Sequence, residues 1–84
     1  MEEKSRDARS LVESVVTSLV DEPEQVEIRS TSENGVLLIE ISVADSDISK
    51  IIGSNGRIIK AIRTLTRSAA FVEGIERVDV EILS

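Results

Sequence analysis

The apolar positions of this chain change their period several times, and each change marks an element. Between residues 8 and 20, Leu11, Val12, Val15, Val16, Leu19 and Val20 recur at alternating spacings of one and three, which gathers all six on one side of a helix. Ser5 or Asp7 is suited to cap its start, and Asp21, Glu22 and Pro23 close it. Residues 25–30 alternate instead, Val26 and Ile28 against Glu27 and Arg29, as a half-buried strand does. The TSENG segment at 31–35 reads as a turn carrying the favoured hairpin pair Asn34-Gly35. Residues 36–43, VLLIEISV, are the most apolar run and predict a central strand. Leu37, Ile39, Ile41 and Val43 would be covered, with Val36 and Leu38 on the opposite, exposed face.

Helical spacing then returns. Asp45 and Asp47 suit the start of a short helix carrying Ile48, Ile51 and Ile52, which stops at Gly53, where a left-handed conformation is open to glycine. After Gly56 a longer helix is predicted. At about 100° per residue, Ile59, Ile62, Leu65, Ala69 and Val72 fall on one broad side, and Arg57, Lys60, Arg63 and Arg67 on the other. Phe71, the only aromatic residue, is expected in the core. Gly74 ends the helix, and residues 76–83 alternate as a last strand with Val78, Val80 and Ile82 inward.

The order is helix, strand, strand, helix, GxxG, helix, strand. The first two strands form a hairpin, while the second and third are joined through two helices, the length that a parallel crossover requires. An α+β fold follows, with a three-stranded mixed sheet and all helices on one face. At 84 residues the chain is a single domain, able to bury roughly 60–70% of its unfolded surface. Residues 1–7 are expected to be a flexible N-terminus and 8–84 the folded unit.

Charge changes the picture most. The net charge of −6 by itself argues against nucleic acid. Yet residues 48–72 contain no acid, and Lys50, Arg57, Lys60, Arg63 and Arg67 give that window +5, leaving −11 on the remainder. A local basic face on an acidic body is a directed electrostatic site. With no cysteine and no histidine, disulfides, thiolate metal sites and the usual nucleophiles and general bases are missing. The acids are scattered, so neither a metal nor another cofactor is expected, and the chain does not read as an enzyme. The charged N-terminus is not a signal peptide, no apolar run approaches a membrane span, and a cytoplasmic location is expected.

The residues 51–63, IIGSNGRIIKAIR, bring these features together. A phosphate needs close approach to backbone N–H groups, which side chains at Gly53 or Gly56 would obstruct. The following helix aims its unpaired N–H groups and positive dipole end at the same place. Arg57 and Lys60 stand one turn apart and can pair with successive phosphates. Ile51, Ile52, Ile58 and Ile59 can floor a narrow groove for unstacked bases. With aromatic residues at 1%, binders that stack bases on several rings are excluded.

With this motif in this order, the chain resembles a KH domain of type II, and among such domains the small bacterial single-KH proteins of the KhpA family, from about residue 8 to 82. The resemblance implies a GxxG loop that clamps about four nucleotides of single-stranded RNA. The contacts it implies are made by Ile52, Gly53, Ser54, Asn55, Gly56, Arg57, Ile59, Lys60 and Arg63. The middle of the loop departs from the usual pattern, since Ser54 and Asn55 carry no charge where a basic residue is common, which lowers the expected affinity. The resemblance further implies an RNA chaperone or post-transcriptional regulator, as a homodimer or paired with a larger KH protein of the Jag type. A second reading keeps the fold but makes dimerisation its task, using Val36 and Leu38 on the free sheet face and Ile58 as contact surface.

Overall fold

The structure, a computed structural model, describes residues 4–83. Helix α1 spans Lys4–Leu19, strands β1 and β2 span Glu27–Glu33 and Val36–Ser42, helices α2 and α3 span Ile48–Ile52 and Arg57–Val72, and strand β3 spans Arg77–Ile82. Single 3-10 turns precede β1, α2 and α3, at Pro23–Gln25, Asp45–Asp47 and Ser54–Gly56. Among the described residues the helix runs from Lys4, so Ser5 and Asp7 lie within its span rather than at its cap. Residues 1–3 of the expected N-terminal segment, and Ser84, lie outside the described residues.

β2 is central. It pairs antiparallel with β1, Ile28 facing Ile41, and parallel with β3, Ile39 facing Val80. The type II KH order and the three-stranded mixed sheet are therefore as the sequence predicts. β1 runs three residues further than expected, because Thr31, Ser32 and Glu33 pair with β2 instead of forming the turn. The turn is Asn34-Gly35 alone, and φ of +54° and +79° fits the two-residue hairpin geometry that follows strand twist.

Ile28, Leu37, Ile39, Ile41, Val78 and Val80 line the covered face of the sheet. Ala8, Val12 and Val16 of α1 and Ile51 of α2 close over it with Ile59, Ile62 and Ala70 of α3. The helices thus share one side. The stripe on α1 is narrower than the six residues expected, since Leu19 is exposed.

On α3 the buried line is Ile59, Ile62, Thr66 and Ala70. This corrects the expected stripe: Leu65, Phe71 and Val72 are exposed. The reason is periodic. Successive steps of three, four and four keep a line over the core on a 3.6-residue helix, and Thr66 can occupy it because its Oγ1 donates to the Ile62 carbonyl at 2.6 Å. The open sheet face carries Glu27, Arg29, Glu33, Glu40, Arg77, Asp79 and Glu81, and Val36 and Leu38 between them are half-buried, not exposed as expected.

Candidate nucleic-acid interface

The turn between α2 and α3 is built by its two glycines in different ways. Gly53 follows α2 with φ +78° and ψ 175°, a region open to glycine alone and not the left-handed helical one expected there. Its N–H still donates to the Ser49 carbonyl at 2.9 Å, closing α2. A Cβ at Gly53 would collide with Ile58 Cγ1, so the missing side chain lets α3 start directly against α2. Gly56 is left-handed, with φ +72° and ψ 18°, and an added Cβ would meet nothing closer than 3.9 Å. Asn55 is left-handed too, at φ +56°. Ser54 and Asn55 are exposed and head the turn, so their N–H groups have no helical acceptor behind them.

The cations separate into three kinds. Lys50 belongs to a structural cluster: its Nζ lies 3.3 Å from Asp21 Oδ2 and 3.5 Å from Asp47 Oδ1. Asp47 is fully buried and accepts the backbone N–H groups of Asp21 and Glu22 at 3.1 and 3.0 Å. Burial pushes the Asp47 carboxyl up, but those two hydrogen bonds and Lys50 outweigh it and hold the pKa below the ordinary value. The hydrogen bond and charge of Asp21, with Asp47 adding to them against burial, raise Lys50 above the usual lysine range. Lys50 therefore braces α2 against the end of α1.

Arg57, Lys60 and Arg67 are exposed, and among the described residues no carboxylate pairs with them. Arg63 is half-buried and turns toward the sheet, its Nη2 donating to the Val80 carbonyl of β3 at 3.5 Å. It bridges α3 and the free edge of the sheet.

Of the nine expected contact residues, Ile52, Gly53, Ser54, Asn55, Gly56 and Arg57 span the bend, Ile59 and Lys60 lie on the first turn of α3, and Arg63 lies further along, against β3. Ile59 is buried beneath it, as is Ile51. Ile52 is 37% exposed and Ile58 half-buried, so these two offer apolar surface beside the turn. The arrangement offers unpaired N–H donors at an uncharged bend flanked by two glycines, cations along one helix and a small apolar floor. No group of acids, among the described residues, could hold a metal ion.

Helix, hairpin, GxxG turn and closing strand in this order define a KH domain. The family model of the KhpA/KhpB KH domain matches residues 9–82, and the chain belongs to that family. It is 41% identical over 75 residues to RNA-binding protein KhpA of Oceanobacillus iheyensis, covering 89% of this chain and 99% of that one. It is 46% identical over 69 residues to the protein of the same name from Chlamydia pneumoniae, covering 82% and 87%. Among solved structures, Aquifex aeolicus Era bound to a GDP complex matches with a TM-score of 0.60 at 21% identity. The match spans 90% of this chain and 30% of Era, and at that identity it supports the fold alone.

Proposed function

We propose that this chain is a single-stranded RNA-binding protein that holds the RNA backbone at the 53–56 turn and along the cationic face of α3. The observation that carries this reading is the pairing pattern: among the described residues the acids of the chain engage Lys50, Arg9 and Arg29 and leave Arg57, Lys60 and Arg67 to solvent. Membership of a family whose relatives are named RNA-binding proteins supports it. Such a site suits an RNA chaperone or post-transcriptional regulator working in the cytoplasm.

A backbone seated at the turn meets two uncharged side chains, so two new carboxylates there act by repulsion alone. Ser54→Asp with Asn55→Asp is expected to abolish binding of a short single-stranded RNA in fluorescence anisotropy, with thermal stability unchanged. Undiminished binding by that variant would remove the turn from the site. The affinity of the unaltered chain should fall with salt at a slope of roughly −0.7 per phosphate neutralised.

The partner reading moves with the structure. Val36 and Leu38 are half-buried, whereas Leu65 and Val72 of α3 are 47% and 85% exposed, one above the other two turns apart. The small residues Ser68, between them, and Ala61, one turn before Leu65, permit close helix approach. Arg57 at one end and Glu76 past the other would meet in an antiparallel pair. A second copy, or a larger Jag-type KH protein presenting an equivalent helix, fits this strip.

A further inference from the structure

Phe71 was expected in the core and stands 74% exposed. Its position on α3 gives that exposure a direction. Lys60, Thr64, Arg67 and Phe71 follow one another at steps of four, three and four, a single line along the helix. Arg57 stands beside the head of this line, next to Gly56. The line runs on the side of α3 where Arg63 reaches across to Val80 of β3, roughly 120° away from the strip of Leu65 and Val72. The one aromatic ring of the molecule therefore ends a row of unpaired cations that begins at the glycine turn. A ring placed for a protein contact would sit among the apolar residues. Phe71 has cations and hydroxyls before it on its own line.

We infer that α3 carries a second RNA subsite, in which a strand leaving the glycine turn follows Lys60 and Arg67 and stacks a base on Phe71. The inference rests on the RNA reading above and extends its footprint. From Gly56 to Phe71 the helix rises roughly 22 Å, so the ring stands at the end of α3 farthest from the turn that clamps four or so nucleotides. Every base has a π face, so stacking on Phe71 adds affinity without demanding a sequence. The hydroxyl of Thr64 donates back to the Lys60 carbonyl at 3.1 Å, which keeps the line between the two cations free of any acidic or bulky group.

The test titrates the full chain with labelled single-stranded RNAs of about four and about eight nucleotides in mixed A/U sequence. Phe71→Ala is expected to weaken the longer RNA about tenfold and to leave the shorter one unchanged. Phe71→Leu, which keeps apolar bulk without a ring, should lose as much, and Phe71→Trp should bind at least as well as the unaltered chain. Arg67→Ala should reduce the salt slope by about 0.7 for the longer RNA alone. Sedimentation of Phe71→Ala should match the unaltered chain.

Equal binding of the longer RNA by Phe71→Ala overturns the inference, as does full affinity in Phe71→Leu. So does a Phe71→Ala variant that loses self-association and RNA affinity together, which would assign the ring to a second copy. If Ser54→Asp with Asn55→Asp abolishes both lengths while Phe71→Ala affects neither, the clamp stands and the second subsite falls. If that loop variant binds both lengths normally, clamp and subsite fall together.

Discussion

Gly53 and Gly56 are equivalent letters of one motif, yet they do different work. At Gly53 the backbone is in a glycine-only region and Ile58 occupies the space a Cβ would take. At Gly56 the conformation is left-handed and an added Cβ would make only ordinary contacts, with Ile59 and Lys60. Gly53→Ala is therefore expected to cost about 3 kcal/mol, from backbone strain and overpacking together. Gly56→Ala should cost only about 1 kcal/mol, while weakening RNA binding because the new methyl faces outward. Urea denaturation of the two variants checks the order, and equal losses would contradict the distinction. The motif was legible in the sequence and this division was not. Which glycine meets a neighbour depends on where Ile58 packs, and nothing in the spacing carries that.

At the level of elements, the cluster of Asp47, Lys50 and Asp21 joins the end of α1 to the start of α2, and so fixes the piece of chain that ends in the glycine turn. Asp47 has its pKa held below the ordinary 3.8 in the folded state. Its contribution to stability is then complete above that value and is lost as pH falls through the folded pKa. Asp47→Asn should lower the urea midpoint at neutral pH, and the gap to the unaltered chain should close in acid below pH 3.8. A gap that stays constant with pH would show that the charge of Asp47 is not what ties the helices. Sequence reading found Asp47 as a helix-start residue and counted Lys50 only in the charge of the acid-free window. The partners that claim Lys50 include Asp21, far away in the chain, so only the fold brings them together. The phase error on α3 has a related cause. Leu65, Ala69 and Val72 mimic a buried stripe, and the true line passes through Thr66, whose hydroxyl is silenced by its own helix. Element order, strand pairing and the covered face of β2 were all legible, because strict alternation and the Asn34-Gly35 pair leave few other registers.

Taken whole, the molecule has three distinct surfaces. The side of α3 that follows the turn is cationic, another strip of α3 is apolar, and the open sheet is mainly acidic. If the apolar strip pairs two copies, Leu65→Glu should convert a dimer to a monomer in sedimentation velocity, since two carboxylates would face each other across the axis. Binding of RNA short enough to occupy the turn alone should survive that change. A chain that sediments as a monomer before substitution would rule the strip out as a self-association surface.

The sheet gives this division its consequence. Glu27, Glu33, Glu40, Asp79 and Glu81 outnumber Arg29 and Arg77 on a face that no helix covers. An RNA held along α3 as proposed would leave that face as its outer coat. Coated strands then present like charge to one another and stand apart until salt shortens the reach of the field. The same acids that make the net charge misleading at first sight would keep a bound message from being bridged to its neighbours.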